Sequence, residues 1–269
     1  MKDIEFLKSN GVDIDKSLEI FGDINTYNDT IGEFLTGIDS KIKKLAKYKN
    51  NNDMQNYAIF VHSLKSDAKY FGFTALADVA YAQELKAKSN DAYYITEHFN
   101  ELETLVSKSK NLVKEYLSDD NKTSTPKEEM TINAPIYKKE TILVVDDSNI
   151  VRNFVSRIFS DKYSIGIAEN GEEAINILKA NSENDKIVTI LLDLNMPKVS
   201  GFKVLDYMKE KDLLKKSPVS IITGDSSKET IDRAFTYGIV DMLTKPFNAE
   251  DVKRVVEKNL YYRDMNKNK

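Results

Sequence analysis

Two adjacent aspartates, Asp146 and Asp147, close the apolar run ILVV (142–145), and a third, Asp193, closes IVTILL (187–192). Thr223 ends VSIIT (219–223), and Lys245 follows the short run MLT (242–244). If these runs are neighbouring strands, three carboxylates, a hydroxyl and an ammonium share one rim. Three anions repel, so the cluster calls for a cation. Hard oxygen ligands favour Mg²⁺, with Mn²⁺ as an alternative; such an ion keeps several waters and takes one or two carboxylates plus phosphate oxygens. With the charge offset by the ion and by Lys245, one carboxylate can attack phosphorus. Positive charge and positioning then stabilise the transferring phosphoryl.

A second nucleophile lies far from the first. The chain has two histidines, His62 and His98, and no cysteine, which excludes disulfides, thiolate catalysis and a His-rich metal site. In 54–72 the apolar residues Tyr57, Val61, Leu64, Ala68 and Phe71 form one helical stripe. His62 points roughly 140° from the centre of that stripe and is therefore expected to face solvent. Lys65, Ser66 and Lys69 share its side at i+3, i+4 and i+7. An exposed imidazole is a competent nucleophile near neutral pH, and adjacent lysines attract phosphoryl oxygens. A lone exposed histidine is more commonly plain surface. His98 sits at the flank of the stripe of its own helix and is expected to be partly buried and structural.

The elements that must position these groups fall into two halves. Residues 1–118 contain no proline and read as helix: 14–21, 24–48, 54–72, 74–88 and 92–117, with Gly72 and Thr74 as stop and restart. Short connections predict an antiparallel four-helix bundle with a small extra N-terminal helix. Residues 119–139 are polar, carry Pro126 and Pro135, and read as a flexible linker. From 140 to 262 the period changes. Strands at 142–145, 164–168, 187–192, 219–223 and 242–244 alternate with helices at 148–160, 171–180, 200–211, 227–237 and 249–260. Five such pairs imply a parallel sheet covered on both faces, with its site at the carboxyl ends of the strands. Residues 263–269 are left as a tail.

Here the motifs become specific. VVDDSN, LLDLNMPKVSG, IITGD and LTKPF resemble the receiver domain of bacterial response regulators, in that family's order and spacing, over roughly 140–262. The resemblance implies a flavodoxin-like (βα)5 fold with Asp193 as phosphate acceptor. It implies that Asp147 ligates Mg²⁺ directly, that Asp146 acts more through water, and that Asn195 offers its backbone carbonyl to the metal. Thr223 and Lys245 match the hydroxyl and lysine that follow the phosphoryl group, and the family usually has a cis bond before the proline matching Pro246. The bland reading, in which Asp146 and Asp147 are solvated strand ends, does not explain four strand ends matched in order. One position departs: Met242 stands where the family often has the aromatic residue that serves as a rotamer switch.

The stretch VHSLKSDAKYFGF resembles the His-x-x-Lys core of histidine-phosphotransfer domains, and the resemblance covers most of 1–118. It implies that His62 carries phosphate and Lys65 assists. Glu84, 22 residues on, matches a family glutamate that in some members bonds the histidine and fixes its tautomer; an ordinary exposed helix acid is the other reading. Asp67, where the family often has a small residue, sets a negative charge near the incoming phosphoryl.

Together the halves imply a relay component, with a phosphate sink and a non-catalytic adaptor as the alternatives. No Gly-rich nucleotide loop lies between a strand and a helix, so the chain is expected to be a phosphoryl carrier rather than an enzyme with a kinase core. Its expected partners are a sensor histidine kinase and other receiver or histidine-phosphotransfer domains. An intramolecular encounter is also permitted, since a linker of this length has an r.m.s. span of about 25 Å and a reach of about 70 Å. The net charge of -4 gives no basic surface, so nucleic acid is not an expected partner. No apolar run approaches the roughly 18 residues of a membrane span, and no signal peptide opens the chain, so a cytoplasmic location is expected.

Overall fold

A computed structural model of the chain describes residues 3–118, 134–225 and 227–267. They fall into two compact units, Met1–Asn133 and Ala134–Lys269. The expected linker residues 119–133 lie outside the described residues. Among the described residues, no helix is long and apolar enough to cross a membrane.

The first unit is all helix: α1 (Ile4–Ser9), α2 (Ile14–Phe21), α3 (Ile24–Asn50), α4 (Met54–Tyr70), α5 (Thr74–Lys88) and α6 (Ala92–Leu117). The four long helices match the expectation, but two short helices precede them rather than one. Asp3, Asp13, Asp23, Asp53 and Asp91 cap five of the six helices, each accepting a backbone N–H from the first turn, which satisfies a donor the helix leaves open. Apolar stripes supply the core, and an aromatic cluster closes one end. Phe71 stacks on Phe21 at 5.5 Å between ring centroids and meets Phe34 edge-on at 5.6 Å. The turn between α4 and α5 depends on Gly72. Its φ is 74°, and a Cβ there would lie 2.4 Å from the Asp13 carbonyl oxygen.

α4 does not show the single buried stripe predicted for it. Every residue from Phe60 to Ala68 is buried. The stripe residues Tyr57, Val61, Leu64, Ala68 and Phe71 are in the core as expected. The polar residues between them are covered as well, because α3 and α5 flank the helix and reach it with long polar side chains.

The second unit is a five-stranded parallel sheet of order β2-β1-β3-β4-β5. Its elements are β1 (Thr141–Val145), α7 (Asn149–Phe159), β2 (Ser164–Ala168), α8 (Gly171–Ala180), β3 (Ile187–Leu192), α9 (Gly201–Glu210), β4 (Val219–Thr223), α10 (Lys228–Phe235), β5 (Asp241–Thr244) and α11 (Ala249–Lys267). This is the flavodoxin-like (βα)5 arrangement. β1, β3 and β4 are buried along their whole length, because helices cover both faces. Alternate residues point to opposite faces: Leu143 and Val145 toward the core that holds α8 and α9, Ile142 and Val144 the other way. α10 is held most lightly; Ala234 is its one buried residue.

Two boundaries differ from the sequence reading. Residues 134–139, expected to be linker, pack on this unit. The Tyr137 N–H donates to Asn181 Oδ1 at 2.8 Å, Asn181 Nδ2 donates to the Pro135 carbonyl at 2.8 Å, and Tyr137 packs against the core over Gly166. The expected tail, 263–269, is helical as far as Lys267. Arg263, 4% exposed, donates to the carbonyls of Lys216 and Asp185 at 2.9 and 2.7 Å. The reason in both cases is backbone polar groups that need partners, which composition does not reveal.

Gly72→Ala adds both a strained φ and a clash, so it should lower the stability of the helical unit by roughly 1–3 kcal/mol. Denaturant unfolding followed by amide exchange in α4 and α5 would measure it.

Candidate functional site

Strand register builds the first site. Val145 lies beside Leu192, Leu192 beside Ile221, and Thr223 beside Thr244. The next residues, Asp146, Asp193 and Lys245, therefore leave the sheet at one rim. Backbone bonds hold them there: Asp193 N–H to the Val145 carbonyl and Lys245 N–H to the Thr223 carbonyl, both at 2.8 Å. Asp146 and Asp193 are buried, at 0% and 1% exposed, while Asp147 is half-buried at the mouth. Carboxylate oxygens of the three lie within 4.8 Å of one another.

Lys245 Nζ is 2.6 Å from Oδ2 of both Asp146 and Asp193. It donates a hydrogen bond to Asp193 but approaches Asp146 off the hydrogen-bond line, so Asp146 Oδ2 has no aligned donor. The other oxygens are engaged by backbone: Asp146 Oδ1 accepts the Ser148 N–H at 2.9 Å and Asp193 Oδ1 the Asn195 N–H at 3.1 Å. Burial works against the charge of Lys245, but Asp146, Asp193 and Asp147 outweigh it and hold the ammonium above its ordinary value. Burial pushes the Asp146 carboxyl up to about 7. Lys245 opposes this, while Asp193 and Asp147 add to it. One ammonium thus falls short of offsetting three acids.

That shortfall is the fit test for a cation. The donors are hard oxygens, one carboxylate oxygen lacks an aligned donor, and the separations suit the roughly 2 Å metal–oxygen distance of Mg²⁺. Thr223 is fully buried, and its hydroxyl accepts the Asp225 N–H at 3.2 Å rather than meeting the acids. The Lys245–Pro246 bond is cis, as the motif implied. Met242 is half-buried and packs against the core that holds α8 and α9. Gly201 allows α9 to begin against the backbone of Asp193: a Cβ there would lie 2.2 Å from the Asp193 carbonyl oxygen.

The second site centres on Glu84 of α5. Its Oε1 is 2.7 Å from His62 Nδ1 and 2.7 Å from Lys88 Nζ, and its Oε2 is 2.6 Å from Lys65 Nζ. Burial would raise the Glu84 carboxyl, but its bonds to His62 and then Lys65 outweigh burial and hold it well below the usual range. An ionised Glu84 can only accept, so the Nδ1 that faces it carries a proton. Lys65 Nζ, 3.4 Å from that protonated Nδ1, therefore bonds to Glu84 and not to the ring. Of the two readings of Glu84, the histidine partner is the one present.

The expectation that His62 faces solvent is overturned: the residue is 3% exposed, and Nε2 is buried without a hydrogen-bond partner. A stripe analysis of one helix cannot register a partner such as Glu84 of α5, 2% exposed at its side chain. Lys69 is exposed and feels Lys65 and Glu84 as nearby charges. Ser66 is buried, contrary to its expected exposed position. Asp67 is not an unmatched charge, since Lys41 of α3 pairs with it and donates to Ser63 Oγ at 2.7 Å. Lys41 and Lys88 were missed by sequence reasoning. Lys88 had a signal, its i,i+4 spacing from Glu84; Lys41 had none. His98 is half-buried and stacks on Tyr94 at 3.9 Å, a structural placement.

A parallel sheet of this order with three acids and a lysine at its carboxyl rim defines a receiver-type α/β domain. Residues 142–257 match the model of the response regulator receiver domain, and the chain belongs to that family. It is 34% identical over 115 residues to the two-component response regulator ORR3 of Oryza sativa subsp. indica, a match covering 42% of this chain and 86% of that one. It is 30% identical over 123 residues to the two-component response regulator ARR5 of Arabidopsis thaliana, covering 42% and 67%. Among solved structures, the chemotaxis response regulator CheY4 of Vibrio cholerae is 29% identical, with a TM-score of 0.40 over 46% of this chain and 100% of that one. The second unit thus places the chain in two-component signalling, a family whose acidic pocket takes Mg²⁺.

Between the ordinary carboxylate range and about pH 7, folded Asp146 holds a proton that the unfolded chain has released. Stability without divalent ions should therefore fall as pH rises through that window. Asp146→Asn should flatten the dependence, and added Mg²⁺ should stabilise the wild type more at pH 8 than at pH 5. Denaturation midpoints at the two pH values would check both.

Proposed function

We propose that the chain is a phosphorelay carrier, cytoplasmic and without a kinase core, that holds phosphate at Asp193 and exchanges it with histidine through His62. The receiver half of this reading is carried by the Asp193–Lys245 contact inside the acid cluster. Asp146, Asp147 and Asp193, joined by the Asn195 backbone carbonyl, would hold Mg²⁺ or Mn²⁺, whose charge offsets that of the phosphoryl group. A carboxylate oxygen of Asp193 forms the new O–P bond as the N–P bond of a donor phosphohistidine breaks, and the imidazole nitrogen keeps the electron pair. Lys245 follows the phosphoryl oxygens, and the Thr223 hydroxyl, which accepts the Asp225 N–H, donates its own O–H to the phosphoryl group.

For the helical half, the His62–Glu84 bond supports a histidine-phosphotransfer role. It fixes the tautomer that leaves Nε2 nucleophilic. Lys65 and Lys88 leave the Glu84 cluster with an excess of positive charge, which suits a phosphoryl group. A buried nitrogen without a partner costs roughly 1–3 kcal/mol, a cost relieved when docking or phosphorylation gives Nε2 a partner. Side chains over the ring must move for this to happen. The same burial favours a second reading, in which the helical unit binds partners without carrying phosphate. The relay and sink readings share every residue and separate on the lifetime of the Asp193 phosphate. The partners in each case are a sensor histidine kinase and receiver or histidine-phosphotransfer domains, with an encounter between the two units of one chain as a further route.

Incubation with a small-molecule phosphodonor and Mg²⁺ should label Asp193, and Asp193→Ala should abolish that label. Lys245→Met should slow uptake by roughly 10²-fold. Acid-labile label from a phosphorylated receiver should reach His62 and vanish in His62→Gln; a wild type that never takes it supports the binding-only reading.

In Glu84→Ala, ¹⁵N NMR of the His62 ring should show loss of the single Nδ1–H tautomer, with phosphotransfer slowed by about 10-fold or more. An unchanged tautomer would remove Glu84 from the site.

A further inference from the structure

The acids of the receiver rim need their directions fixed, and one buried cation outside the motif is placed to fix them. Arg152, on α7, is 4% exposed. Its Nη1 donates to the backbone carbonyl of Asp146 at 2.6 Å, and its Nη2 to Glu169 Oε1 at 2.7 Å. Glu169 directly follows β2 and is itself largely exposed. The guanidinium therefore spans the ends of β1 and β2.

That carbonyl belongs to the peptide unit joining Asp146 to Asp147. A peptide is planar, so holding its oxygen holds the plane from which both side chains depart. The preceding peptide is fixed independently, since the Asp146 N–H donates to the Ala168 carbonyl at 3.1 Å. On the side chain, Oδ1 is tied to the Ser148 N–H. With these three tethers Asp146 has one oxygen left, Oδ2, and it is turned toward Lys245 and the cluster. Without Arg152 the Asp146–Asp147 peptide would lose the side chain that now orients it. Nor is Arg152 a simple surface ion pair: a buried guanidinium whose shortest bond is to a backbone oxygen serves geometry more than charge.

We propose that Arg152 is a positioning residue for the acid pair, setting the Asp146–Asp147 peptide plane so that both carboxylates face Asp193, with Glu169 holding the guanidinium in register. This rests on the receiver reading of the site. Arg152 touches neither the acceptor nor a phosphoryl group, so it acts through Asp146 and Asp147 alone.

The test uses the full chain and Mg²⁺ itself. Calorimetric titration should show Mg²⁺ binding weakened about 10-fold in Arg152→Met, with partial recovery in Arg152→Lys, which keeps one donor. Glu169→Ala, at an exposed position, should weaken it by about threefold. Phosphate uptake from a small phosphodonor should show the same shift in the Mg²⁺ concentration for half-maximal rate, while the rate at saturating Mg²⁺ changes by less than about twofold. A merely structural arginine would lower the unfolding midpoint and leave that concentration unmoved. Should Arg152→Met fail to fold, Arg152→Lys and Glu169→Ala decide. Unchanged Mg²⁺ affinity in folded variants overturns the proposal, and leaves the receiver reading standing if wild type binds Mg²⁺ and takes phosphate at Asp193. A wild type that does neither overturns both.

Discussion

The receiver unit depends on charge that its fold has forced together. Parallel strands in register deliver Asp146, Asp193 and Lys245 to one rim whether or not their charges balance. Lys245 spans two buried acids, and its elevated ammonium and the raised Asp146 carboxyl are two sides of that imbalance. Burying unpaired charge is costly, so a site of this kind is tuned to gain something positive. The charge imbalance that a cation would offset follows from electrostatics.

The helical unit carries the opposite imbalance. Glu84 is a single carboxylate shared among His62, Lys65 and Lys88, so its surroundings hold more positive than negative charge. A few residues away, Lys41 cancels Asp67, which keeps the excess intact. An acid-rich pocket and a base-rich helix face are complementary in sign, and complementary fields speed encounter and penalise wrong partners.

Much of this was legible in the residues. The strand ends were, because each strand is a short apolar run and the chemistry-bearing residue is the first polar one after it. Alternating strand and helix periods gave the sheet class for the same reason. The four long helices were legible from stripes that proved to be core. What failed was whatever depended on a distant partner. The burial of His62 needs Glu84 on another helix. The neutralised Asp67 needs Lys41, 26 residues earlier. Arg263 looked like tail because it is charged, yet it is buried by backbone carbonyls from two loops. The stretch 134–139 looked like linker because it is polar, yet it is held by side-chain amides of Asn181 and Asn184. α1, at six residues, is too short to show a period.

α10 buries one residue, Ala234, and otherwise meets α9 through Arg233, whose guanidinium lies 3.8 Å from the centre of the Phe202 ring. Segments with so few buried apolar contacts open at low free energy, well below that of global unfolding. Its first turn begins a few residues after Thr223, whose hydroxyl is bonded to the Asp225 N–H; the Asp225 carboxylate in turn accepts the Ser227 N–H at 3.0 Å and the Thr230 hydroxyl at 3.2 Å. A movement of that hydroxyl would therefore disturb the cap of the helix with the fewest buried residues in the unit. With methionine at 242 instead of an aromatic ring, the bonded path from Thr223 to the start of α10 runs through Asp225 and Thr230 and involves no swinging ring.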